Sequence, residues 1–305
     1  MPEYTADLNT TLTQSQFCRL EPRGQLHCIQ VRHPHFSADI LTQGAQLLSF
    51  TPAGEDNWIW LSETAEFKTG VSVRGGIPVC WPWFGDLGKN PAEVKKLCAD
   101  ETAPAHGLVR GVEWQLDALE ETASSVTMTL AYHQKPSSLW EAEAELKLTI
   151  SMTGERLSLA LTTTAGAAPL AITQALHTYF PVKDIHETRV VGLEGCHYTD
   201  ALDNWTTRTQ QGPVVFTEET DRIYQSPAHI SLISEGRSML LTSDSESAIV
   251  WNPWVDKAAR LSQFPDDAWQ RMFCVETANA LDDWIQIAPG RSHTLTMTLS
   301  KTSPE

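Results

Sequence analysis

No stretch of this 305-residue chain approaches the ~20 consecutive apolar residues of a membrane-spanning helix. Residues Met1 to Leu20 are polar and lack an apolar h-region, so no secretory leader is expected and the cytoplasm is the expected compartment. The six cysteines (Cys18, Cys28, Cys80, Cys98, Cys196 and Cys274) include no C-x-x-C pair and show neither a zinc-site spacing nor a disulfide framework. They read as reduced thiols. There is no excess of basic charge: 22 Lys and Arg stand against 38 Asp and Glu, for a formal net charge of −16. That balance argues against nonspecific binding to nucleic acid or to anionic membranes, both of which need a basic face. An anionic ligand would have to be held by a local positive patch, so arginines in unusual loops matter. The motifs G-x-x-x-x-G-K-[ST], G-x-G-x-x-G and G-x-S-x-G are all missing, which removes the signs of a nucleotide loop, a dinucleotide fold and a hydrolase elbow. Internal repeats and Gly/Pro/Ser-rich linkers are missing too. Residues 1–305 therefore read as one domain, although the length alone would admit two.

What is present is period-2 alternation. Val126, Met128 and Leu130 alternate with threonines, as do Leu295, Met297 and Leu299. Leu146, Leu148, Ile150 and Met152 repeat the pattern, and so do Leu157, Leu159 and Leu161. These are half-buried strands with one face on a core. Gly154 reads as a hairpin turn, and Gly24 and Gly236 mark further turns. Convincing helices are few. Asn90 to Asp100 has Asn90 as a candidate N-cap and Pro91 at the first helical position, and Pro265 to Arg271 has room for a turn or two. The expected fold is all-β, a large antiparallel β-sandwich with few short helices.

Arg74-Gly75-Gly76-Ile77-Pro78-Val79-Cys80-Trp81-Pro82-Trp83-Phe84-Gly85 is the most unusual segment. Its glycines permit backbone shapes that a side chain forbids, and its prolines fix φ and remove donors. A stiff loop with one cation among flat side chains suits an anionic, partly apolar ligand. The plainer alternative is a buried Trp/Pro corner with Arg74 paired to a surface carboxylate. Arg110 is the second arginine in a Gly-flanked loop, and Arg is suited to gripping phosphate with several donors. His106 precedes Gly107 in that loop. His177 ends an apolar run that starts near Leu170, and is either a satisfied core residue or a positioned acid/base. Glu276 lies in the apolar run Met272 to Ala278, where burial would be expensive unless the acid were paired or functional. An outward-facing position on the strand is equally open to it. Asp200 reads as a turn residue. The remaining histidines read as surface residues. The His33/His35 pair lacks the further ligands a zinc site needs. Trp251-Asn252-Pro253-Trp254 either walls a sugar pocket or closes the sandwich.

Taken in order, Arg74 to Gly85, His106-Gly-Leu-Val-Arg110 with Trp114, His177-Thr-Tyr-Phe180, Val250-Trp-Asn-Pro253 and Val275-Glu276-Thr277 resemble the D-hexose-6-phosphate mutarotases. These are the glucose-6-phosphate 1-epimerases of the galactose mutarotase-like group. The resemblance implies a β-supersandwich and interconversion of the anomers of a hexose 6-phosphate, with a sugar phosphate as partner and no cofactor or metal. It places the family's catalytic His on His177 and its catalytic Glu on Glu276. Its ligand-binding arginines fall on Arg74 and Arg110, and its substrate-binding Asp falls, by a looser alignment, on Asp200. The Gln that some members carry before the His-Gly step is Ala105 here, which leaves His106 as a substitute contact. The Pro-His that many members carry after the Trp at Trp140 is Glu141-Ala142. Two rival readings stand beside this one. A glycoside hydrolase would need a second acid in an apolar strand, and a non-catalytic sugar-phosphate-binding module would keep the pocket without turnover.

Overall fold

The structure, a computed structural model, describes residues 12–98, 103–225 and 229–302. The alternating segments form the nine-stranded antiparallel sheet. Its order runs from Arg189–Val191 through His229–Ser234, Arg237–Ser243, Ser292–Lys301, Arg156–Ala165, Ala144–Thr153 and Ser125–Gln134 to Gln115–Glu121, with Val214–Val215 at the first edge. Leu146, Leu148, Ile150 and Met152 all point inward and are fully buried. Each such side chain contributes roughly 1.5–3 kcal/mol. The intervening hydroxyls pair across strands on the outer face: Thr129 with Thr149 at 3.0 Å, and Thr162 with Thr294 at 2.9 Å. Gly154, Gly24 and Gly236 all occupy hairpin turns between paired strands.

The second large sheet has eight strands. Thr206–Thr209, His197–Asp200, Thr220–Gln225, Ser247–Asn252, Met272–Asn279, Gln174–Leu176 and Val79–Cys80 lie side by side in that order, and Tyr179–Pro181 also pairs with Met272–Asn279. One face of this sheet joins the nine-stranded sheet in a shared apolar core, which includes Val250, Val275, Leu148 and Leu299. This is the expected all-β sandwich. A four-stranded sheet spanning Cys18–Arg23 to Leu47–Pro52 flanks it. The other face of the eight-stranded sheet carries a separate cluster that includes Trp60, Tyr179, Ile249, Trp251 and Cys274.

Two local expectations are corrected. The helix over Asn90 to Asp100 shrinks to Ala92–Lys95, and Asn90 does not cap it. The Asn90 side chain is buried, and it donates to the Phe84 and Asp86 carbonyls at 2.9 Å each and accepts the Thr173 hydroxyl. A buried carboxamide left without those partners would cost more than a lost cap. Ala99 and Asp100 lie outside the described residues. His33 is not a surface residue: it is buried, with its ring stacked on Phe36 at 4.6 Å and its Nε2 3.2 Å from the Thr122 carbonyl oxygen. No cluster of metal-ligating side chains forms among the described residues.

Candidate active site

Glu276 lies on the most enclosed strand of the eight-stranded sheet. Met272–Asn279 is flanked by Ser247–Asn252 on one side and by Gln174–Leu176 and Tyr179–Pro181 on the other, and all its residues are buried. Alternate residues of a strand share a face, so Cys274, Glu276 and Ala278 point away from the shared core, toward the second cluster. Glu276 is 2% exposed, and its Oε1 lies 3.4 Å from Nε2 of His177. His177 sits at the break between two short strands. Its backbone N–H donates to the Pro78 carbonyl at 3.0 Å, which ties it to the Gly/Pro-rich loop. Its ring stacks on Tyr179 at 4.8 Å and meets the Trp251 ring edge-on at 6.2 Å. Nδ1 of His177 and Oε2 of Glu276 are buried and make no hydrogen bond. Buried polar atoms without partners are costly, and in a site they mark where a ligand's groups belong.

The glycines place the arginines. At Gly76, with φ +71°, a Cβ would lie 2.4 Å from the Leu47 carbonyl oxygen, so only glycine fits this close crossing. The crossing sets Arg74 beside Tyr179, with Nη1 donating to the phenol oxygen at 3.4 Å. At Gly107 a Cβ would lie 2.0 Å from the Trp81 carbonyl oxygen. This contact lays the second loop on the first and brings the His106 ring to 5.5 Å from that of His177. His106 accepts the Gly85 N–H at Nδ1, 3.3 Å away, which leaves Nε2 as its donor. Arg110 donates from Nη2 to the Ala105 carbonyl at 2.6 Å. Position 105 thus serves through its backbone. Among the described residues, neither Arg74 nor Arg110 has a carboxylate within ion-pair distance, so the expected alternative of a rim salt bridge does not form. Trp81 and Trp83 turn into the core, where their indole N–H groups donate to Thr163 and to the Pro104 carbonyl. Of the three aromatic side chains Trp81, Trp83 and Phe84, only Phe84 reaches the site cluster.

Asp200 is not brought to this face. Its strand register opposes it to Arg222, then to Val250 and Val275, one residue off the row that carries Glu276. Alternation therefore turns its side chain the other way. There it accepts the Leu202 N–H at 3.0 Å and lies 3.9 Å from Arg222. Asp200 is therefore the last residue of a strand, not a turn residue, and its side chain lies off the face that carries Glu276. The carboxylate that shares the Glu276 face is Asp221, which opposes Trp251 and through it Cys274. Its sequence signal is an acid two places before the buried Ile223, at the inward parity of a strand.

Burial sets the protonation states. It pushes the Glu276 carboxyl well above the ordinary carboxylate range, and the Asp221 charge adds to the shift. It pushes His177 well below the ordinary imidazole value, with His106, Arg110 and Arg74 adding to the effect. Burial likewise lowers His106 to about 3, with Arg110 and Arg74 again contributing, so this ring stays neutral. Asp221 is raised to about 6 by burial, against the opposing pull of Lys257. Burial thus favours the uncharged forms of both Glu276 and His177.

The fold is that of the aldose epimerases, and the chain is an isomerase of that class. The chain belongs to the aldose 1-epimerase family, which matches residues 27–300. A provisionally named glucose-6-phosphate 1-epimerase of Escherichia coli K12 is 35% identical over 263 residues, 84% of each chain. A protein of the same provisional name from Cenchrus ciliaris is 32% identical over 270 residues, covering 83% of this chain and 78% of its own. The crystal structure of a provisionally named mutarotase from Salmonella typhimurium superposes with a TM-score of 0.85 at 28% identity, covering 98% of this chain and all of that one.

Proposed function

We propose that the protein interconverts the α and β anomers of a hexose 6-phosphate, glucose 6-phosphate being the substrate its relatives' names point to. The observation that carries this reading is the buried His177–Glu276 pair, 3.4 Å apart, with the charges of Arg74 and Arg110 bearing on His177. Arg74 and Arg110 hold the phosphate, and its dianion offsets their charge. The imidazolium form of His177 then costs less, and the shared proton moves from Glu276 to His177. The Glu276 carboxylate takes the proton from the anomeric hydroxyl O1 while His177 gives its proton to the ring oxygen O5. The C1–O5 bond breaks, and an open-chain aldehyde forms. Rotation about C1–C2 presents the other carbonyl face. On closure His177 takes the proton back from O5 and Glu276 returns one to O1. The pair ends as it began, so the cycle consumes no co-reactant.

Asp221 and the Nε2–H of His106 are placed to hold sugar hydroxyls, and Trp251 walls the ring. Asp221 is also the second acid that a glycosidase would need, but it is tied to Lys257, and family membership favours anomerisation. One core cluster draws residues from Leu12 to Leu299, which supports reading the whole chain as one working domain. The six unpaired cysteines agree with a reducing, cytoplasmic setting. No helix among the described residues is long and apolar enough to cross a membrane.

The phosphate assignment is tested by Arg74→Ala. A charge-assisted hydrogen bond contributes about 1.5–3 kcal/mol, so KM for glucose 6-phosphate should rise about 10- to 150-fold. KM for free glucose should change little. An equal loss on both sugars would make Arg74 a structural residue.

A further inference from the structure

Lys257 stands outside the groups placed to face the sugar, yet it lies beside one of them, Asp221. It lies on the short helix Trp254–Ala258, and its Nζ is 3.1 Å from Oε1 of Glu219 and 3.8 Å from Oδ2 of Asp221. The same ammonium sits 5.9 Å from the centre of the Trp251 ring, whose edge meets His177. The loop that delivers it is pinned. The fully buried Asn252 donates to the Trp269 and Met272 carbonyls at 2.9 Å each and accepts the Trp254 N–H at 2.8 Å. Trp254 is held at φ +52°, a left-handed conformation that a tryptophan adopts only when its surroundings impose it. The position of Lys257 is therefore built in.

From this geometry we propose that Lys257 is a positioning residue, which holds the Asp221 carboxylate ionised and aimed at the sugar site without touching the sugar itself. The inference rests on the mutarotase reading. The charged and titratable groups around Asp221 are few. Lys257 approaches from the helix, Glu219 from just before the strand Thr220–Gln225, Glu276 and Cys274 from the shared face of Met272–Asn279, and Asp200 from the neighbouring strand. All but Lys257 are acidic or neutral. Among the described residues around Asp221, Lys257 is thus the cation that favours the carboxylate. Without it, burial and Glu219 would leave Asp221 protonated near neutral pH. A neutral acid offers a sugar hydroxyl one fewer strong acceptor.

The test follows KM for glucose 6-phosphate against pH in the wild type, Lys257→Met and Lys257→Arg, with and without Asp221→Asn. Methionine keeps most of the side-chain length and removes the charge. An opposite charge at this distance typically moves a carboxyl by one to three pH units. KM of Lys257→Met should therefore be about tenfold above wild type near pH 6.5 and fall to within about twofold of it near pH 9. Its kcat should change little. Arginine should restore the wild-type profile, and in the Asp221→Asn background Lys257→Met should add no pH-dependent change. A KM raised equally at all pH values, or an unchanged KM, overturns the positioning role. A wild-type protein that does not accelerate anomer exchange overturns the mutarotase reading and this inference with it. The two failures are read from different samples.

Discussion

Replacing Glu276 by glutamine should lower the catalysed anomer exchange by about 10²–10⁴-fold, the range a positioned general base contributes, while the protein remains folded. Glutamine matches the carboxyl in shape and keeps a donor and an acceptor. Glu276 is already pushed by burial toward its neutral form, so the substitution leaves the packing of a 2%-exposed side chain nearly unchanged. What is lost is the ability to take a proton from O1 and return it. Thermal unfolding should stay within a few degrees of wild type, and KM should change far less than kcat. Polarimetry on anomerically pure glucose 6-phosphate measures the first, and a denaturation scan controls the second. Full activity in Glu276→Gln would remove this residue from the chemistry.

His177→Asn should cost a comparable 10²–10⁴-fold in kcat, and it should also change the shape of the pH profile. In the wild type the working state of the pair carries one proton. The acid limb appears when the pair gains a second proton, an event that burial of His177 pushes to lower pH. The alkaline limb appears when the pair loses its last proton, and the raised carboxyl of Glu276 moves that event well above 4.5. Because burial pushes the two groups in opposite directions, the kcat profile should be a broad bell. In His177→Asn only the base is left. Its kcat should then rise with pH as Glu276 ionises and should show no alkaline fall. A variant profile that keeps both limbs would show that His177 is not the acid. The readout is kcat, which reports the bound complex, because the substrate phosphate itself titrates near pH 6 and would distort kcat/KM.

The strands are legible because alternation is a local signal. Leu146, Leu148, Ile150 and Met152 state their own face, and the Gly154 hairpin fixes their partner. The site is less legible, because its geometry comes from pairings between distant segments. Glu276 alternates with Val275 and Thr277 in a way that suits an exposed position as well as a buried one. Only its two flanking strands decide that it is buried. His177 and Glu276 are 99 positions apart, and the sequence brings them together only through the family resemblance. Asp200 and Asp221 show the limit of such transfer. Both are acids on adjacent strands, and a single step of strand parity sends one to the site face and the other away from it. Asn90 shows a different limit: a strong N-cap signal is overridden when tertiary contacts bury the side chain beside Phe84 and Thr173. The Trp-Pro-Trp-Phe run is readable as a stiff corner. Which of its rings face the ligand depends on the packing of Trp81 against Trp140, far along the chain.

The central claim, that the His177–Glu276 pair opens and closes the ring of a hexose 6-phosphate, is tested most directly by magnetisation-exchange NMR. The anomeric protons of glucose 6-phosphate at anomeric equilibrium are followed with and without the wild-type protein. Exchange between the α and β signals should rise in proportion to protein concentration, and more for glucose 6-phosphate than for glucose. Tight binding with no added exchange would contradict the account and leave a sugar-phosphate-binding module in its place.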